Sequence, residues 1–131
     1  MNNGINVNSE IGKLKSVLLH RPGAEVENIT PDTMKQLLFD DIPYLKIAQK
    51  EHDFFAQTLR DNGAETVYIE NLATEVFEKS SETKEEFLSH LLHEAGYRPG
   101  RTYDGLTEYL TSMPTKDMVE KVYAGVRKNE L

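Results

Sequence analysis

Residues 18–43 read LLHRPGAEVENITPDTMKQLLFDDIP, and this stretch sets the expected order of the first elements. The aliphatic run over 14–19, LKSVLL, ends at the turn sequence RPG, which predicts a buried strand followed by a turn. Thr30 suits the N-cap of a helix, and Pro31 suits its first position. We therefore expect a short helix over roughly 31–38.

A longer helix is expected over 44–61, because four apolar residues and one histidine recur there at intervals of three and four and so share one face. They are Leu45, Ala48, His52, Phe55 and Leu59. Gly63 predicts the end of this helix, since glycine readily adopts the left-handed conformation found just past a helix. The sequence AETVYIE at 64–70 then predicts a second strand. The order strand, helix, helix, strand predicts a crossover of parallel strands covered on one face by the long helix.

From about residue 72 onward the strand signals disappear and four short helices are expected. Their apolar positions are Leu72, Val76 and Phe77; Phe87, Leu88, Leu91 and Leu92; Leu106, Tyr109 and Leu110; and Met118, Val119, Val122, Tyr123 and Val126. Residues that cap or end helices separate these groups at 79–81, 96–100 and 112–115. The predicted fold class is α/β, with a strand-helix domain over 1–73 and a small helical bundle over 74–131.

Composition excludes several classes of protein. The chain of 131 residues is 38% apolar and 28% charged, as globular domains are. A net charge of −7 argues against nucleic acid as a partner, because phosphate contacts need clustered basic residues. No run of about 18 apolar residues and no secretory signal pattern occur, so we expect no membrane partner and a cytoplasmic location. The absence of cysteine excludes a disulfide scaffold and thiolate zinc sites.

The segment over 18–43, together with SEIGKLK at 9–15, resembles the amino-terminal end of arginine deiminases. The resemblance extends over roughly the whole chain and is strongest through Glu70. It implies the front part of a longer enzyme that converts L-arginine to citrulline and ammonia through a cysteine thiolate. It also implies a partial pentein fold, an α/β-propeller of repeated units, interrupted by a helical insertion.

The lack of cysteine limits what these residues can do alone. Covalent attack on a guanidinium carbon needs a nucleophile such as a thiolate. The resemblance implies that this thiolate and its histidine and carboxylate partners lie farther along the enzyme. We therefore expect no catalytic residue, no cofactor and no turnover in the 131 residues, with L-arginine bound by the full-length enzyme. The alternative is a non-catalytic binding or assembly module derived from the same family.

Leu38 is the one residue for which the resemblance implies a substrate contact, as part of a loop that lines the arginine pocket. An apolar wall stabilises the methylene stem of arginine by about 0.8 kcal/mol per CH₂ removed from water. The alternative is an ordinary core position in the short helix. The acidic pair Asp40-Asp41 could hold a guanidinium, or it could cap the long helix.

The histidines carry weaker signals. His90 and His93 are three residues apart on a predicted helix, but a metal site would need a third ligand, for which Glu86 and Glu94 are the nearest candidates. A solvated helix surface explains them more simply, so no metal is expected. His52 falls on the apolar side of the long helix, as a partly buried histidine would. The segment beginning at His20 is assigned a structural role in the turn.

A sheet of two strands leaves strand edges without partners. Unpaired edges invite pairing with another chain. We therefore expect a homo-oligomer.

Overall fold

The computed structural model describes residues 7–34, 37, 39–127 and 130. In chain order the elements are β1 (Ser16–Leu19), α1 (Ala24–Glu27), α2 (Pro31–Met34), α3 (Leu45–Asp61), β2 (Glu65–Tyr68), α4 (Ile69–Lys79), α5 (Ser81–Glu94), α6 (Arg101–Thr111) and α7 (Thr115–Ala124). The chain is mostly helical around one small sheet. Within the described ranges, every helix is too short or too polar to traverse a lipid bilayer.

The two strands are parallel, as the crossover prediction required. The register runs from Ser16 opposite Glu65 to Leu19 opposite Tyr68. The long helix α3 lies on the face of the sheet that carries Thr66 and Tyr68. Arg60 of α3 donates to the Thr66 hydroxyl (2.8 Å), and the ring of His52 lies 5.8 Å from that of Tyr68. The predicted cover of one sheet face by the long helix is therefore confirmed.

The prediction for α3 is confirmed at its carboxyl end but not at its amino end. Gly63 has a φ of 82°, the left-handed conformation expected just past the helix. At the other end the N-cap is Tyr44, without a side-chain cap. The prediction that Asp40 and Asp41 cap this helix is wrong, because Asp41 accepts instead from the adjacent N–H of Ile42 (2.8 Å). Its side chain is committed to a local turn before the helix begins.

The short helix α2 begins at Pro31 as predicted, and its described residues run to Met34. Apart from Leu37, the rest of the predicted range to 38 lies outside the described residues. The N–H of Phe39 donates to the Met34 carbonyl (3.0 Å), and Leu37 lies in a turn.

The second strand is shorter than the predicted range 64–70, because α4 already begins at Ile69. The reason lies in the side chains that follow. Ala73 and Phe77 stand four and eight residues after Ile69, and both pack into the helical core. Ala73 and Phe77 lie on one face of the chain only if the segment is helical. Their burial in the core therefore outweighs the β-propensity of the residues around Ile69.

Helices α4 to α7 confirm the four predicted helices and share one core. Its buried residues are Phe77, Leu88, Leu110, Met118 and Val119. The phenyl rings of Phe77 and Phe87 lie 4.9 Å apart. The Ser80 hydroxyl accepts from the N–H of Thr83 (3.1 Å) and caps α5, at one of the predicted breaks. The last helix ends at Ala124, so Val126 packs on the core from outside a helix, contrary to its assignment.

Candidate functional site

A cavity of about 540 Å³ opens where the two parallel strands end. His20 directly follows β1, and Glu70 lies two residues after β2, so the crossover brings both to the same edge of the sheet. Glu25 of α1 and Tyr123 of α7 also line the cavity. The carboxyl ends of parallel strands are where α/β proteins commonly bind ligands, which makes this cavity the candidate site. These four side chains are named the His20 cluster below.

His20 lies between two carboxylates. Its Nδ1 contacts Glu70 Oε1, and its Nε2 lies 3.1 Å from Glu25 Oε1. Because carboxylates only accept hydrogen bonds, both ring nitrogens can donate together only when the imidazole carries two protons. Glu25 also accepts a hydrogen bond from the backbone N–H of Gly23, which holds it against the turn. The imidazole of His20 therefore lies between two acidic side chains, with one ring nitrogen facing each.

Tyr123 covers one face of the histidine ring. The ring centroids lie 4.8 Å apart, with planes inclined by 23°. Burial, and to a smaller extent the negative charge of Glu70, raise the pKa of the Tyr123 hydroxyl, so the phenol stays protonated at neutral pH. The second oxygen of Glu70, Oε2, is buried and receives no hydrogen bond from any described residue. Among the described residues, only one oxygen of the Glu70 carboxylate has a hydrogen-bond partner.

Helix α1 is tied to neighbouring helices at both ends. The Asn28 amide nitrogen donates to the carbonyl of Ala124, and the Arg127 guanidinium donates to the Asn28 side-chain oxygen. Ala124 is the last residue of α7, where carbonyls lack partners within the helix. Before α1, the Gln49 amide of α3 donates to the Pro22 carbonyl (2.9 Å). The turn after β1 is thus fixed by contacts with α3, α4 and α7.

A second ion pair joins the turn to α3. Arg21 donates from Nε and Nη2 to the two carboxylate oxygens of Asp53, at 2.8 and 2.9 Å. This bidentate contact lowers the pKa of Asp53 and raises that of Arg21. Both side chains are about half exposed, so solvent screens the pair and its contribution to stability is small.

Of the predicted substrate-site residues, Leu38 lies outside the described residues. Asp40 and Asp41 are exposed and do not line the cavity. The structure therefore leaves the substrate contact of Leu38 as a prediction and separates the acidic pair from the His20 cluster.

The other predicted histidines are apart from the cluster. His52 is half-buried on the inner side of α3 as expected, but its Nε2 is buried without a hydrogen-bond partner among the described residues. His90 and His93 are exposed on α5, where His93 Nδ1 lies 3.9 Å from Glu94 Oε1. Across the described part of the chain, no group of three histidine or acidic side chains could hold a metal ion.

Sequence reasoning missed the roles of Glu25, Glu70 and Tyr123. One signal was available: His20 follows the predicted strand 14–19 and Glu70 ends the predicted strand 64–70, and parallel strands end at the same edge of a sheet. No local signal pointed to Tyr123, which the helical pattern assigned to the bundle core.

The family model described as arginine deiminase matches residues 35–131. The arginine deiminase of Lactococcus lactis subsp. lactis (strain IL1403) is 98% identical over 131 residues, which are 100% of this chain and 32% of that protein. The arginine deiminase of Limosilactobacillus reuteri (strain DSM 20016) is 56% identical, with the same two coverages. The arginine deiminase of Clostridium perfringens (strain SM101 / Type A) is 57% identical over 97% of this chain and 31% of its own length. The chain spans about a third of the length of the curated relatives it matches.

Proposed function

The chain belongs to the arginine deiminase family, and on this premise we propose that it forms the amino-terminal part of an enzyme that hydrolyses L-arginine to L-citrulline and ammonia. The observation that carries the proposal is the 98% identity to the Lactococcus lactis enzyme over all 131 residues. At that level of identity the two chains share their packing and their surface side chains almost throughout.

The chemical step is proposed to use groups beyond these residues. Attack on the guanidinium carbon needs a nucleophile that can later leave, and the 131 residues contain no cysteine to supply a thiolate. The His20 cluster offers acidic groups and an imidazole but no such nucleophile. On this proposal, the 131 residues supply structure and one wall of the substrate site, and have no turnover alone.

That wall is proposed to include Leu38, packed against the methylene stem of arginine. The segment that carries Leu38 starts from α1, whose position is set by Glu25 at one end and Asn28 at the other. The His20 cluster would then act as a support, by fixing the point from which the segment departs.

The proposed enzyme also has a proposed architecture. The parallel pair β1 and β2 with α3 on one face is the kind of unit from which a pentein propeller is repeated, with residues 1–73 as the first part and 74–131 as a helical insertion. The separate apolar core of α4 to α7 supports this division, although α4 itself runs through the boundary. We also propose that the enzyme is cytoplasmic and homo-oligomeric, without nucleic-acid or membrane partners. The acidic net charge argues against nucleic acid as a partner. The open edges of the two-stranded sheet support an oligomer.

The test compares three purified proteins: the chain extended to the length of its relatives, the same protein with its downstream candidate cysteine replaced by alanine, and residues 1–131 alone. We expect citrulline release from L-arginine by the first protein only. Retained turnover in the alanine variant would refute the thiolate, and turnover by residues 1–131 free of longer enzyme would refute the proposed division of roles. An inactive extended protein with a cooperative unfolding transition would refute the proposed reaction.

A further inference from the structure

Helix α3 has an apolar stripe that none of the described elements covers. The helix packs on the sheet through its inner side, which carries the fully buried Ala56 and the half-buried His52. A helix that used only this side would be polar everywhere else. Instead a second set of large apolar side chains is exposed on this helix and at its N-cap. They are Tyr44, Ile47, Phe54 and Phe55.

The spacing of these residues places them together. At about 100° of rotation per residue, Ile47, Phe54 and Phe55 fall within an arc of roughly 100°, on the side away from the sheet, and Tyr44 lies at the N-cap just before the helix. Their exposed fractions are 64%, 45%, 76% and 52%. Thr58 and the exposed Glu51 fall on the same arc. We call this set the outer stripe of α3.

The remaining side of α3 is the one suited to solvent. Lys46, Lys50, Gln57 and Asp61 lie there, and all are exposed. The helix therefore has three sectors: an inner apolar side on the sheet, the outer stripe, and a polar side. A helix with two apolar sides is typical of one packed between two layers of protein.

We propose that the outer stripe docks against the polypeptide that extends beyond residue 131 in the longer relatives. This rests on the proposed function, in which the chain is one part of a longer deiminase. The relatives are about three times as long as this chain, so most of their mass lies outside it. Large apolar side chains exposed along one side of a helix, among them Phe54, form a surface that protein–protein contacts commonly bury.

A second copy of the chain is the competing occupant, and the distribution of apolar surface argues against it. Leu18 of β1 is 56% exposed and Leu14 is 46% exposed, and Leu18 faces away from the side of the sheet that α3 covers. Apolar side chains are thus uncovered on two separate faces. A two-fold contact through one patch would bury only one of these faces, whereas a larger continuation of the same polypeptide can cover both.

The test uses the chain extended to the length of its relatives, in which Phe54→Cys is compared with the control Lys46→Cys on the polar side of the same helix. Each variant is alkylated with iodoacetamide, and labelling is quantified peptide by peptide so that downstream cysteines are counted separately. We expect labelling at position 54 to be at least tenfold slower than at position 46 in the native protein, and equal at both positions in denaturant. Thr58→Cys, also on the outer stripe, serves in place of Phe54→Cys if that variant does not fold.

Equal native labelling at positions 54 and 46 would overturn the proposal. Protection that disappears on dilution to a concentration where light scattering shows a monomer would assign the stripe to a second copy and also overturn it. Protection that persists in the monomer would support it. The citrulline assay is read separately, so an inactive protein that still protects position 54 would refute the reaction and leave the docking surface standing.

Discussion

The ring of Tyr123, at the end of the last helix, stacks on the ring of His20, at the end of the first strand, with centroids 4.8 Å apart. This contact joins the sheet to the helical bundle directly. The amide of Asn28 makes a second connection between the same two parts at the carbonyl of Ala124. The two parts of the chain are therefore held together by specific polar and aromatic contacts near the candidate site.

The stacking contact predicts a measurable loss of stability. Tyr123→Ala removes the ring from His20 and should lower the free energy of unfolding by about 1–2 kcal/mol, the scale of an aromatic pair with partial burial. Tyr97→Ala is the matched control, because Tyr97 is similarly exposed but outside the cluster, and should cost less than about 0.5 kcal/mol. Urea unfolding of both variants measures the difference. Equal losses would show that the stack contributes nothing specific.

The Arg21–Asp53 pair predicts a pH dependence. The pKa of Asp53 is lowered mainly by its hydrogen bonds from Arg21, so its carboxylate stabilises the fold above the ordinary pKa of aspartate. That contribution is lost as the pH falls through the lowered value. The stability difference between wild type and Asp53→Asn should therefore be present at neutral pH and vanish as the pH falls through the lowered pKa of Asp53.

Arg21→Gln provides the control for this prediction, because it removes the cause of the shift. In that background the effect of Asp53→Asn should no longer depend on pH in the acidic range. Unfolding midpoints measured across the acidic range test both statements. An unchanged pH dependence in the Arg21→Gln background would contradict the assignment of the shift to this pair.

The buried core of α4 to α7 predicts a larger loss of stability. Leu88 is 1% exposed within the cluster of buried residues, and Leu88→Ala should destabilise the protein by about 2–5 kcal/mol through lost burial and a residual cavity. Leu72→Ala, at a position 43% exposed, should cost less than about 1 kcal/mol in the same measurement. Similar losses for the two variants would mean that the bundle core is not where the structure places it.

The proposed substrate contact of Leu38 predicts a kinetic effect in the extended enzyme. Leu38→Ala should reduce kcat/KM by an amount corresponding to about 1–3 kcal/mol of transition-state stabilisation, with a smaller change in the unfolding midpoint. An ordinary core leucine would instead cost about 2–5 kcal/mol of stability and leave the kinetics of the folded enzyme unchanged. Measuring both quantities on one variant distinguishes the two roles.

Local patterns predicted most of the elements. The spacing of apolar residues located α3 and the four bundle helices, and Gly63 located the end of α3. Boundaries were predicted less well where two tendencies compete. The sequence around Ile69 has β-propensity, but burial of Phe77 in the bundle extends the helix back to that residue. Such a balance depends on tertiary packing, which a local pattern does not contain.

The candidate site was harder to predict because it also depends on tertiary packing. His20 was assigned to a turn because its neighbours encode one, and the turn exists. Its contacts with Glu70 and Tyr123 come from residues far along the chain, and only the folded arrangement brings them together. The parallel strands could have suggested the first contact. The second depends on how the bundle sits against the sheet, for which the sequence offered no signal.

The parallel pairing of β1 with β2 also constrains the order in which the molecule can fold. During synthesis β1 emerges first, but the strand that pairs with it begins only at Glu65, after two short helices and the whole of α3. Closing that long segment costs entropy before any strand hydrogen bond forms, whereas the turns of α3 need only near neighbours. A nascent chain should therefore form α3 while β1 is still unpaired. Until β2 has been synthesised, the aliphatic residues of β1 remain exposed and can bind chaperones or aggregate.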